Sequence, residues 1–182
     1  MQLRRPLLAA LAIDALDDLE RSLLELTVVQ AERRSEGMNS ISWIVAHVAQ
    51  HIDSWINDSM AGKGRDSYLS SGQFARASSG EPAQWHAVGA ILAEVLIKAR
   101  SYLTKATDND LARESLYIGS IEALRATPVS GNYRIARLVA HIYYHVGEIS
   151  TIRAVMKHKV GDFPSVMPVS LASSTSKSGD VQ

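Results

Sequence analysis

The chain has 182 residues, 46% of them hydrophobic and 21% charged, a balance that suits one globular domain with a sizeable core and argues against wholesale disorder. Nineteen basic and nineteen acidic residues cancel, so no basic excess is present to drive binding to nucleic acid phosphates. There is no cysteine, which removes disulfides, thiolate nucleophiles and thiolate ligands together and leaves His, Asp and Glu as possible metal ligands.

Taken in chain order, Arg4 and Arg5 precede an apolar run from Leu7 to Ile13 that contains Ala10-Leu11-Ala12, a superficial cleavage pattern. The run is short, Asp14 ends it, and the apolar spacing continues through Leu16, Leu19, Leu23 and Leu26. These residues therefore read as a first helix from about Leu7 to Leu26 rather than as a leader. No stretch approaches the roughly 18 apolar residues of a membrane span, so a cytoplasmic protein with no membrane partner is expected.

A second helix is predicted after Asn39 and Ser40, both favourable N-caps. Its stripe is Ile41, Ile44, Val48, Ile52 and Trp55, and it runs out near Gly62-Lys63-Gly64. After a Gly/Ser-rich connection to about Gly80, the third helix starts near Glu81-Pro82 and carries Trp85, Val88, Leu92, Val95, Ala99 and Tyr102. A further long connection, Thr104 to about Gly131, leads to the fourth helix, roughly Tyr133 to Lys157. Its seam is Ile135, Leu138, Ile142, His145, Ile149, Ile152 and Met156. No segment shows convincing strand alternation. Four amphipathic helices imply an all-α, four-helix bundle. About 20 extended residues reach roughly 60 Å, so either long connection has the length to cross the bundle. The domain is expected to span residues 1–160. Residues 161–182, Ser-rich and without apolar period towards the end, read as a disordered tail.

Six histidines are present, and four form two helical pairs: His47 with His51, and His141 with His145. Residues at i and i+4 share a helix face, so each pair can converge on one point. A metal asks for such an arrangement, two imidazoles from one helix and a third ligand from a facing one, with positions left open. His145 sharpens this expectation, because every other position of its seam is apolar and a buried imidazole there needs a hydrogen-bond partner or an ion. The competing reading is a pair of hydrogen-bonded core histidines. Spacing alone does not choose between His47 and His51. The zincin motif is absent, since Ile142, Tyr143 and Tyr144 separate His141 from His145 and no glutamate follows the first. Glu148 can orient a ligand imidazole or act as general base, and equally can pair with Arg153 or Arg137. Tyr143 and Tyr144 are candidates to bring a hydroxyl to the site, or to pack at the bundle surface. Trp43, Trp55 and Trp85 read as core, and His86 and His158 as surface residues.

The run Asn39-Ser40-Ile41-Ser42-Trp43-Ile44-Val45-Ala46-His47 resembles the Trp-x-x-x-His start of the second helix in DinB-like (DNA-damage-inducible) four-helix metalloproteins. His141-Ile142-Tyr143-Tyr144-His145-Val146-Gly147-Glu148-Ile149, followed by Ile152-Arg153, resembles their His-x-x-x-His-x-Gly-Glu segment. Thr107-Asp108-Asn109-Asp110-Leu111-Ala112 is similar to their loop after helix three. The resemblance covers roughly residues 5–160. It implies up-down-down-up topology, a divalent metal (Zn, Ni or Fe) on His47, His141 and His145, and often a homodimer. His51 then becomes a fourth ligand, a group behind a ligand or a substrate-facing residue, and the catalytic candidates are Glu148, His51 and Tyr144. Characterised members are transferases and isomerases that activate a low-molecular-weight thiol. The resemblance thus implies a metal-dependent enzyme acting on a small-molecule substrate; the alternatives are a non-catalytic metal-binding or stress-response protein and a structural bundle.

Overall fold

The computed structural model describes residues 5–34, 37–75, 78–117 and 121–165. Helix α1 (Leu7–Ser22) buries Ala9, Ala12, Ala15, Leu16 and Leu19 along one stripe. The predicted first helix stops short of Leu26, because Glu25 takes a positive φ and the one-turn helix α2 (Val28–Glu32) begins afresh behind a Thr27–Gln30 capping box. Helix α3 (Ile41–Ile52) starts where Ser40 Oγ accepts from the Trp43 amide, 3.1 Å away. Its run from Ile41 to Ala49 is buried without a break, as expected of a helix that is apolar nearly all round. It continues as a π-helix, Asp53–Met60.

Helix α4 (Trp85–Lys105) begins a turn later than expected, and α6 (Gly131–Val155) buries the predicted seam from Ile135 to Ile152. Between them lie α5 (Asp108–Ala112), capped reciprocally by Thr107 and Asp110, and a hairpin of β1 (Glu114–Leu116) and β2 (Pro128–Ser130) paired antiparallel from Glu114↔Ser130 to Leu116↔Pro128. The hairpin was not expected, because three-residue strands are too short for an alternation to show.

Side-chain contacts give the helix directions. Tyr143 on α6 bonds Asp18 on α1 while Arg153, further along α6, bonds the Ser22 carbonyl further along α1, so these helices run parallel. Ser42 meets the Ala83 amide and Asn57 meets the Val95 carbonyl, so α3 and α4 also run parallel. His47 lies against His145 whereas Met60 lies against Gly131, so α3 and α6 are antiparallel. The bundle is up-down-down-up. Two parallel neighbours can be joined only by a chain that returns the length of the bundle, and the described residues between α3 and α4, 61–75 and 78–84, lie along α3. In sequence order the Asp66 amide donates to Asp53, and the carbonyls of Leu69, Gln73 and Phe74 accept from Gln50, Trp43 and His47. The second long connection does not cross. It stays at one end, where Arg134 of α6 ties down the Ser115 and Leu116 carbonyls of β1.

Gly131 is a close approach in that corner. A Cβ there would stand 2.8 Å from Met60 Cε and 3.0 Å from the Leu111 carbonyl oxygen. Gly131→Ala is expected to cost about 1–3 kcal/mol by overpacking, read as a lower thermal midpoint by circular dichroism; an unchanged midpoint would contradict this packing.

Residues 161–165, the first part of the expected tail, lie against α1. Phe163 packs on the core with the Arg21 guanidinium 4.9 Å above its ring, and the Ser165 amide donates to Asp18. The Ser-rich part, 166–182, lies outside the described residues. No helix among the described residues is long and apolar enough to cross a membrane.

Candidate metal centre

Two helix faces meet at the histidines. On α3 and its π-helical continuation, Trp43, His47, His51 and Trp55 follow one another at spacings of four; on α6, His141 and His145 do the same. Because α3 and α6 run antiparallel and in contact, His47 comes against both α6 imidazoles, with ring centroids 5.2 Å from His141 and 5.1 Å from His145. Each of His47, His141 and His145 offers a ring nitrogen, and the three nitrogens lie within 4.8 Å of one another.

The outer nitrogens determine which inner ones are free. His47 Nδ1 donates to the Phe74 carbonyl at 2.6 Å, leaving Nε2 as a lone pair. His145 Nδ1 donates to Glu148 Oε2 at 2.9 Å, leaving its Nε2 likewise. That Nε2 stands 3.2 Å from His141 Nε2, and His141 Nδ1 is buried without a partner. Two imidazole nitrogens on one tetrahedral ion, at bonds of about 2.0–2.1 Å, stand roughly 3.3 Å apart. The spacing and the donor set both fit a divalent cation, and the carbonyl and carboxylate behind His47 and His145 are the partners that ligand imidazoles ordinarily have.

His51, which spacing could not separate from His47, is turned differently. Its Nδ1 donates to the His47 carbonyl at 2.9 Å and its ring lies 4.2 Å from that of His141, outside the three that meet. Glu148 is engaged with His145, while Arg153 is committed to the Ser22, Leu24 and Lys159 carbonyls. The tyrosines part company. Tyr144, 70% exposed, sets its ring edge-on to His145 at 4.9 Å, whereas Tyr143 points to the opposite face and donates to Asp18 of α1. Trp43 is buried, but it is more than core: it stacks on His47 at 5.0 Å and donates to the Gln73 carbonyl and the Ser78 hydroxyl on the returning connection. Phe74, whose carbonyl holds His47, has no signal in the sequence because a backbone acceptor has no residue signature. His86 is exposed as expected, whereas His158 is half-buried and touches the Gln30 amide. A cavity of about 310 Å³ lined by Met60, Lys63, Ser101, Tyr102 and Lys105 lies elsewhere, with none of the histidines in its wall.

Burial favours the neutral form of His47, His51 and His141. Desolvation, helped by the neighbouring His51, lowers the His47 pKa to about 4, and desolvation with repulsion from the other three histidines lowers that of His141 to about 2. His51 is lowered too, first by burial. A folded pKa below the unfolded value near 6.5 means that the unfolded chain takes up protons first as pH falls. The metal-free protein is therefore expected to lose stability progressively from about pH 6.5 towards pH 4, seen as a falling thermal midpoint. At His47 and His141, protons compete with a cation only well below the ordinary imidazole range. Metal added to the site is expected to stay through pH 6 and to leave near pH 4, measured by dialysis and elemental analysis. Complete release at pH 6 would contradict the burial argument.

Solved structures that share the fold include the following two. A conserved protein from Enterococcus faecalis is 18% identical with a TM-score of 0.60, over 86% of this chain and 99% of that one. YfiT from Bacillus subtilis, described as a probable metal-dependent hydrolase with an unusual four-helix bundle topology, is 15% identical with a TM-score of 0.58, over 84% of this chain and 87% of that one. No curated protein sequence matches the chain. The sequence profile of the DinB superfamily matches residues 12–149, more than half of the chain, and with the bundle and its histidine cluster this makes the protein a member of the DinB superfamily.

Proposed function

We propose that His47, His141 and His145 hold one divalent ion and that the protein is a metal-dependent enzyme whose nucleophile is a low-molecular-weight thiol. The observation that carries the metal is the convergence of three ring nitrogens within 4.8 Å, two of them with their outer nitrogens already committed to Phe74 and Glu148. Three neutral imidazoles would leave the charge of the ion uncompensated, and such an ion supplies Lewis acidity and lowers the pKa of what binds it. The chain's own residues do the rest. Phe74 and Glu148 keep the lone pairs of His47 and His145 aimed inward, and Trp43 shields His47 from water. Exposed Tyr144 and half-buried His51 border the cluster where a substrate would enter, and Glu148 is placed to hold or give up a proton at His145 Nδ1. Zn, Ni and Fe all suit imidazole ligands.

The thiol comes from the resemblance to characterised family members. The description of YfiT favours a second reading, in which water is the nucleophile and the reaction a hydrolysis. A cytoplasmic location and a homodimer belong to the same proposal, and light scattering on the purified protein tests the latter.

The deciding experiment loads the protein with Zn, Ni or Fe and follows two reactions: transfer of glutathione, cysteine or coenzyme A to 1-chloro-2,4-dinitrobenzene, and hydrolysis of 4-nitrophenyl acetate without thiol. Metal-dependent thiol consumption that disappears in His47→Ala supports the transferase. Metal-dependent ester cleavage alone turns the assignment to a hydrolase. Bound metal without either reaction favours a non-catalytic metal-binding protein, and no bound metal leaves a structural bundle.

A further inference from the structure

Beside its apolar seam, α6 carries a polar stripe: Arg134, Arg137, His141, His145 and Glu148 succeed one another at spacings of three, four, four and three residues. Such spacings put all five on one helix face. Two cations occupy the N-terminal half of this stripe, and its one carboxylate, Glu148, is engaged by His145. The facing helix offers nothing to neutralise them. From Ile41 to Ile52, α3 has no acidic, lysine or arginine residue. Beyond it, both oxygens of Asp53 are taken, one by Asn57 and one by the Asp66 amide, and Asp58 pairs with Arg65. Arg134 is buried and spends its donors on β1. Arg137 is exposed and, among the described residues, joins no ion pair. The exposed part of this stripe, one turn from His141, thus carries a guanidinium that joins no ion pair among the described residues, and such a cation attracts ligands of opposite charge.

We propose that Arg137, one turn before His141 at the rim of the cluster, binds an anionic group of the substrate, carboxylate or phosphate, and so restricts the site to small anionic molecules. A guanidinium grips either group through paired N–H donors, which fixes orientation as well as charge. The inference rests on the reading of the histidine cluster as the reaction centre.

Titration calorimetry at low salt tests it with benzoate, phenyl phosphate and benzamide, aromatic probes chosen because Trp55 and Tyr117 meet edge-to-face beside His51. At least one anion should bind about tenfold more tightly than neutral benzamide, the usual size for one charge-assisted contact. Whichever anion binds tighter identifies the group. The preference should vanish in Arg137→Gln and survive in Arg137→Lys. Equal binding of benzoate, phenyl phosphate and benzamide, no binding of any probe, or a preference unchanged in Arg137→Gln would overturn it. Metal content measured on the same samples separates the two readings: absence of metal with the anion preference intact refutes the metal centre and leaves the Arg137 subsite standing.

Discussion

His145→Ala is expected to lower metal content from about one ion per chain to near zero while the helical spectrum stays unchanged. The affinity should fall by more than about a hundredfold, since even removal of a group behind a ligand costs about ten- to a hundredfold. His145 supplies an inward Nε2 held by Glu148 and lies 3.2 Å from its partner on His141. Its neighbours in the seam, Ile142, Ile149 and Ile152, are buried and remain in place, so the helix keeps its packing. Elemental analysis beside circular dichroism reads both halves of the expectation. Retained metal in the variant would refute the site, and loss of helix would show that the histidine serves the fold rather than an ion.

Leu16→Ala is expected to give the opposite pattern. Leu16 is fully buried on α1, the helix that runs parallel to α6 on the face opposite the histidines. Truncating such a side chain costs about 2–5 kcal/mol, from lost transfer energy and the cavity left behind. For a domain of this size that lowers the thermal midpoint by about 5–15 °C. Metal content measured in the cold should not change. The two variants together separate what holds the bundle from what the bundle holds. A Leu16→Ala protein that keeps its midpoint would mean that α1 packs less tightly than its buried stripe indicates.

Much of the site is legible in the amino-acid sequence. His141 and His145 share a face because four residues make about one helical turn, and that is a local fact. Glu148, three residues on, falls within reach of His145 for the same reason. Other parts are not legible there. Tyr143 and Tyr144 are adjacent in the chain, yet one bonds Asp18 across the bundle while the other stands in solvent beside His145. Which of them faces the site depends on which neighbour each side of α6 receives. Trp43 reads as core from the sequence; its i+4 spacing sets it against His47, and the Gln73 carbonyl and Ser78 hydroxyl of the returning segment, which hold its indole N–H, are what the sequence does not show.

By itself the sequence determined the helices and their buried stripes, because a 3.6-residue period is written into which residues are apolar. It also determined that two histidine pairs each share one helix face. The family resemblance implies one imidazole from the first pair, His47, and two from the second; spacing alone does not, and it is the tertiary structure that brings those three ring nitrogens together. Selecting His47 over His51 depends on the antiparallel register of α3 against α6 and on the return of residues 61–75 along α3, which brings the Phe74 carbonyl to His47 Nδ1. Those are contacts between segments far apart in the chain, made in part by backbone atoms that every residue carries alike, so side-chain spacing cannot encode them.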